Sequence, residues 1–251
     1  MSLPPAPRKR KGWMSLTIHK ILPETPDTLS FYLRDDDEKD IPFDYIAGQY
    51  LTIRYDTVTE KPVVRSYTMS SSPSQKGYCV LTVKRVEGGL ISNWMCDNLK
   101  IGDILKARGP IGKFCYHEGT AKSHLIMVAA GSGVTPFISI LREYTGNKHP
   151  TGPAKMTLLV AYRTTEDIIC REELEKFQKH EEVKIIITLT REETDQYHFG
   201  RPTQEMLDRF LNIDESDTTI MTCGPEAMMD MVTDWGGQKG IIEEQILTES
   251  F

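Results

Sequence analysis

Residues Lys122 to Leu141 read KSHLIMVAAGSGVTPFISIL. The apolar run Leu125-Ile126-Met127-Val128-Ala129-Ala130 is long enough for one buried strand. It leads into Gly131-Ser132-Gly133-Val134-Thr135-Pro136, and then into Phe137, Ile138, Ile140 and Leu141 at helical spacing. Pro136 suits a first helical turn, where no backbone N–H is needed. Two glycines between a strand end and a helix start let backbone N–H groups approach an anion, and the helix N-terminus favours negative charge there. A diphosphate is the natural guest, although an ordinary tight strand-to-helix turn has the same spelling. The flanking sequence has to decide.

After this stretch, strand-like runs alternate with helix-like runs. Leu125–Ala130, Met156–Tyr162, Val183–Leu189 and Thr218–Thr222 are expected strands, with Ile246–Thr248 a last short one. Thr135–Tyr144, Arg171–His180, Thr203–Phe210 and Pro225–Trp235 are expected helices. Continuously apolar strands separated by helices imply an α/β doubly wound parallel sheet covered on both faces. Before it, the period is mostly two, with turn signals at short intervals. Ser15–Leu22, Thr28–Leu33, Gln49–Tyr55, Arg65–Met69, Tyr78–Val86 and Ile104–Arg108 read as a six-stranded antiparallel β-barrel, since closure removes exposed edges. The acidic run Arg34–Asp40 is a solvated loop, and Glu118–Lys122 is the boundary. The chain thus divides into a basic tail (1–12), a barrel domain (13–118) and an α/β domain (122–251). A ligand belongs at the strand ends of the second domain, facing the first.

Composition narrows the class. The 251 residues are 39% hydrophobic and 26% charged, as in an ordinary globular protein. No apolar run approaches the roughly 20 residues of a membrane span. The five cysteines Cys79, Cys96, Cys115, Cys170 and Cys223 show no C-x-x-C or iron–sulfur spacing, and the six histidines show no ligand spacing. Together these point to a reducing cytoplasm and to no zinc, haem or cluster. Of 30 basic and 36 acidic side chains, residues 1–120 carry 17 and 14 and the remainder 13 and 22. That acidity disfavours a nucleic-acid partner. Arg8-Lys9-Arg10-Lys11, in a Pro-rich tail expected to be disordered, could instead meet an acidic protein.

Four further stretches carry chemistry. Arg65-Ser66-Tyr67-Thr68 lies in an expected strand, with Arg65 and Tyr67 on one face and Ser66 and Thr68 on the other. Arginine offers a forked donor to phosphate, the aromatic a flat face to a ring, and the hydroxyl a bond to a ring nitrogen. Gly88-Gly89-Leu90-Ile91-Ser92 precedes the helix-like run Trp94–Leu99 and makes a second diphosphate cradle, with Ser92 able to cap the helix or touch the phosphate. Gly109-Pro110-Ile111-Gly112-Lys113-Phe114 closes the barrel as a turn. Thr222-Cys223-Gly224-Pro225-Glu226-Ala227-Met228 sits where the fourth parallel strand meets a helix, which puts Cys223 at the cleft edge. Each stretch alone also reads as ordinary strand, turn or buried thiol.

In this order the stretches resemble the ferredoxin–NADP⁺ reductase superfamily. R-x-Y-[ST] is Arg65–Thr68, G-G-x-x-S is Gly88–Ser92, G-x-x-G-x-F is Gly109–Phe114, G-x-G-x-T-P is Gly131–Pro136, C-G-P-x-x-M is Cys223–Met228, and the terminal E-x-[FY] is Glu249-Ser250-Phe251. The resemblance covers the chain after its basic tail. It implies an FAD-binding barrel and an NAD(P)-binding α/β domain, with FAD rather than FMN because of the diphosphate cradle. Arg65, Ser66, Tyr67, Thr68, Val83, Lys84, Gly89, Leu90, Ser92, Thr135 and Phe251 would hold FAD, with Thr68 near its N5 edge. Thr68 stands where the family more often has Ser, and keeps the hydroxyl. Gly131, Gly133, Thr135, Arg163, Thr190, Arg191, Arg201, Cys223, Gly224 and Pro225 would meet the nicotinamide nucleotide. Thr68, Cys223, Glu249 and Phe251 would serve the reacting rings, Phe251 covering the flavin and moving aside for the nicotinamide.

The resemblance further implies hydride transfer from nicotinamide to flavin, then single electrons to a separate carrier protein such as a ferredoxin or flavodoxin, the reductase itself being expected as a monomer. Arg163, Arg191 and Arg201 match arginines placed around a 2′-phosphate, which favours NADPH over NADH, although surface pairing with Glu166, Asp167 or Glu192 accounts for them too. Other readings are a ferric-chelate reductase, the reductase component of an oxygenase or desaturase, and a flavin-binding regulatory subunit without turnover.

Overall fold

The computed structural model describes residues 12–37, 39–56, 58–116, 122–146 and 152–250. The basic tail to Lys11, most of the expected boundary segment and Phe251 lie outside the described residues. The first half is built from β1 (Met14–Thr25), β2 (Thr28–Arg34), β3 (Tyr50–Tyr55), β4 (Val63–Thr68), β5 (Cys79–Lys84), α1 (Leu90–Asn98) and β6 (Ile104–Ile111). The strands pair antiparallel in the order β4-β3-β6-β1-β2-β5. Just past β4, Met69 bridges Leu81 of β5 and closes the barrel. Alternation drives this: Met14, Leu16 and Ile18 of β1 are buried while Ser15 is exposed, and their partners Leu105 and Ala107 of β6 point into the same core.

The second half holds β7 (His124–Ala130), α2 (Thr135–Tyr144), β8 (Lys155–Tyr162), α3 (Arg171–Phe177), β9 (Val183–Leu189), β10 (His198–Phe199), α4 (Gln204–Phe210), β11 (Thr218–Cys223), α5 (Glu226–Gln238) and β12 (Ile246–Glu249). All strands are parallel, in the order β10-β9-β8-β7-β11-β12. The chain steps outward from β7 to β10, then returns to the far side of β7 with β11. The gap between the ends of β7 and β11 is therefore the switch point of the sheet, where such folds bind ligands.

Several boundaries differ from the sequence reading. A 3-10 turn, Gly131–Val134, separates β7 from α2. The first helix starts at Leu90 rather than Trp94, because Ile91 and Met95, one turn apart, both bury against the barrel. The two-residue strand β10 has too little sequence to show a period. The two halves are not separate cores. Ala47, Phe114 and Tyr116 of the first half belong to the apolar cluster built around β7, β8 and α2, and the rings of Phe114 and Phe137 lie 5.8 Å apart.

Candidate active site

A recess of about 450 Å³ opens between β4, β5, the start of α1 and the turn before α2. Arg65, Ser66, Tyr67, Thr68, Val83, Lys84, Gly89, Leu90, Ser92 and Thr135 all line it. Strand alternation alone would send Arg65 and Tyr67 away from Ser66 and Thr68, yet all four line the recess. Thr82, Val86, Gly88, Ile91 and Ser132 complete the lining; Gly88, Ile91 and Ser132 lie within the quoted motifs, whereas Thr82 and Val86 lie in none. Thr82 carries no motif. Its hydroxyl sits 2.8 Å from those of both Ser30 and Ser70, behind the recess wall.

The wall of this recess suits a diphosphate. No side chain caps the N-terminus of α1, so its first-turn N–H groups face an incoming anion. Ser92 Oγ instead accepts the Val86 N–H at 3.3 Å and ties the preceding turn. Gly89 is required by crowding, since a Cβ there would stand 2.7 Å from Ser92 Oγ and 2.9 Å from Val86 Cβ. Arg65 is exposed, and its guanidinium donates to the neighbouring Val64 carbonyl at 2.8 Å. Burial pushes the Tyr67 phenol up to about 12, so the ring stays neutral. These residues fit FAD: a cation and free N–H groups for phosphate, and the Tyr67 and Thr68 side chains for a flat polar ring.

A second recess, about 660 Å³, adjoins the first and shares Lys84, Val86 and Ser132 with it. It lies at the switch point. Gly131, Gly133, Arg163, Thr190, Gly224 and Pro225 line it from the strand ends, and Asp27, Arg85 and Glu87 reach it from the barrel. Gly133 packs tightly here, because a Cβ would lie 2.2 Å from the Cys223 carbonyl oxygen. Thr135 Oγ1 donates to the Ser132 carbonyl at 3.0 Å and holds the turn shut. Lys84 Nζ stands 2.6 Å from Asp27 and 3.7 Å from Asp167, bridging the two halves across the cleft. Burial alone would raise the Asp27 carboxyl; the Lys84 ammonium and the Thr25 and Thr28 hydroxyls outweigh it and hold the carboxyl below its ordinary value.

The remaining expected residues are placed less directly. Cys223 is fully buried and does not line either recess; its neighbours Gly224 and Pro225 do. Parallel pairing sets Glu249 of β12 opposite Cys223 of β11. Burial, then Glu249, pushes the Cys223 thiol up to about 12, and burial raises the Glu249 carboxyl. Arg191 and Arg201 are exposed and line neither recess. Phe251 lies outside the described residues.

Comparison with known proteins agrees with this geometry. Residues 15–116 match the family model of the oxidoreductase FAD-binding domain, and residues 127–234 that of the oxidoreductase NAD-binding domain. The chain is 34% identical over 220 residues to the ferredoxin reductase component of 3-ketosteroid-9-alpha-monooxygenase from Rhodococcus rhodochrous, covering 86% of this chain and 59% of that one. It is 31% identical over 203 residues to NADH-cytochrome b5 reductase 1 of Dictyostelium discoideum, covering 80% of this chain and 69% of the relative. In fold it is similar to a ferredoxin NADP⁺ reductase from Neisseria gonorrhoeae with bound FAD and NADP, at a TM-score of 0.80 and 18% identity, over 95% of this chain and 98% of that one. The first half carries the FAD-binding barrel and the second the NAD-binding parallel sheet, and the chain belongs to the ferredoxin–NADP⁺ reductase-like superfamily of oxidoreductases.

Proposed function

We propose that the protein takes a hydride from a reduced nicotinamide dinucleotide onto FAD and releases electrons one at a time to a separate carrier, a ferredoxin or flavodoxin. The observation behind this is the pair of adjoining recesses that share Lys84, Val86 and Ser132. Bound FAD would supply the two-electron to one-electron conversion. The chain supplies orientation and electrostatics. Arg65 and the α1 N-terminus would hold the diphosphate, Val83 and Lys84 the linker, Tyr67 the ring face, and Thr68 a hydroxyl at its reactive edge. Gly131, Gly133, Gly224 and Pro225 would let the nucleotide backbone approach closely. Thr135, lining the first recess directly after the Gly131–Val134 turn of the second, would lie close to both ligands. Cys223, whose thiol burial keeps neutral, and Glu249, paired with it across β11 and β12, would border the nicotinamide.

The co-substrate we propose is NADH, which moves away from the expectation of NADPH. Of the three arginines read as 2′-phosphate partners, only Arg163 lines the recess, and Asp27, Glu87 and Asp167 line it with Lys84, Arg85 and Arg163. That balance offers a 2′-phosphate no positive surplus. The Dictyostelium relative is an NADH enzyme by name. The Rhodococcus relative, a reductase component of a monooxygenase, supports a second reading in which the carrier feeds an oxygenase. Anaerobic stopped-flow mixing of the FAD-loaded protein with NADH or NADPH tests the proposal. Flavin bleaching faster with NADH is expected. Faster bleaching with NADPH would return Arg163, Arg191 and Arg201 to the 2′-phosphate, and no bleaching with either would overturn the reductase reading in favour of a flavin-binding subunit.

A further inference from the structure

α2 starts at the cofactor cleft and ends against the barrel. Its first residue, Thr135, lines the smaller recess, and Gly131 and Gly133 in the turn before it line the other. Further along, Ser139, Arg142 and Glu143 share one face through i, i+3 and i, i+4 spacing. All three bond to the segment that directly follows β4. Ser139 Oγ donates to the Ser71 carbonyl at 2.6 Å, and Arg142 Nη1 to the Ser70 carbonyl at 2.9 Å. The Glu143 carboxylate accepts the Ser74 N–H at 3.0 Å and the Ser72 hydroxyl.

Both ends of this contact are rigid. The Ser70 N–H donates to the Val80 carbonyl at 2.9 Å, and the Tyr45 and Ser71 hydroxyls are 2.7 Å apart, so the segment is fixed to the barrel. On the other side, Glu173 of α3 takes the Arg142 guanidinium as a fork, at 3.0 and 2.6 Å. Ser70 is two residues beyond Thr68. A short stiff path therefore joins the two hydroxyl residues, Thr68 and Thr135, that the cleft brings together. Apolar packing would tolerate sliding of α2 along this segment, whereas directional bonds to the half-buried Arg142 and the buried Glu143 fix one register.

We propose that Ser139, Arg142 and Glu143 are positioning residues that set the separation between the flavin-binding strand β4 and the nucleotide cradle Gly131–Thr135, and so the approach of hydride donor to acceptor. This rests on the reductase reading above. The test uses the FAD-loaded protein with Glu143→Ala, Glu143→Gln and Arg142→Met, and two readouts. One is the limiting rate of flavin reduction, separated from nucleotide Kd by titration in the stopped flow. The other is hydrogen exchange of the amides of residues 131–135 without nucleotide.

For Glu143→Ala and Arg142→Met the limiting rate should fall about tenfold or more, since small misplacements are costly in hydride approach. Nucleotide Kd should stay within about threefold, and exchange at 131–135 should quicken. Glu143→Gln, which keeps the acceptor oxygen, should restore both. An unchanged rate or unchanged exchange in the two disruptive variants overturns the proposal, as does a loss that follows FAD release and that Gln does not rescue. Where Glu143→Ala does not fold, Ser139→Ala removes one bond and no charge, with a smaller change in the same directions expected and no change overturning. If neither nucleotide bleaches the wild-type flavin, the reductase reading fails, and exchange alone decides whether the bonds hold the two halves in place.

Discussion

At the scale of single residues, Gly133 is the most constrained position in the cleft. Gly133→Ala would force its methyl into the Cys223 carbonyl, which is backbone and cannot swing aside. A stability loss of about 1–3 kcal/mol is expected, with nucleotide Kd raised and FAD retained, as calorimetry and flavin absorbance would show. Two carboxyls should respond to pH with opposite signs. Asp27 is held below its ordinary range by Lys84 against the pull of burial. The stability it contributes is present above the ordinary Asp pKa and is lost as pH falls through the depressed one, so the Tm advantage of wild type over Asp27→Asn should shrink on acidification. Burial raises Glu249. Its contribution is present below the ordinary Glu pKa and lost as pH rises through the raised one, so Glu249→Gln should gain Tm relative to wild type on going from acid to neutral pH. The residues that sequence could name sit in short ordered motifs: Arg65–Thr68 on β4, the paired glycines Gly89, Gly131 and Gly133, and Pro225 after β11. Asp27, Thr82 and Asp167 reach the cleft only through tertiary folding, and nothing next to them in sequence points there.

At the scale of elements, the two cradles are separable. A methyl at Gly89 would press on Ser92 and Val86 and displace the first turn of α1. Gly89→Ala should therefore lower FAD occupancy on purification while leaving the parallel sheet intact by circular dichroism. Element types were legible where burial is periodic: β1 alternates inside and outside at its start, and β7 is apolar from Leu125 to Ala130, as suits a central parallel strand. The ends were less legible. α1 extends back to Leu90 because Ile91 has a core to fill, and β10 exists only because β9 offers an edge for two residues. The arginines after β8 and β9 show the same limit. Strand position places Arg163 and Arg191 near the cleft, but only Arg163 lines it, and side-chain direction past a strand end is set by the loop.

At the scale of the whole molecule, the shared apolar cluster predicts one cooperative unfolding transition despite two sheets. Two resolved transitions in calorimetry would show that Ala47, Phe114 and Tyr116 do not couple the halves. FAD should raise the single transition, by about 2.7 kcal/mol at a free concentration 100 times its Kd. The same cluster bears on how such proteins can be recombined. A chimera that takes its barrel from one relative and its parallel sheet from another inherits a mismatched apolar seam wherever positions 47, 114 and 116 come from a different parent than Phe137. The workable crossover for shuffling is thus not a point in the linker but a set of three positions that must travel with the partner sheet.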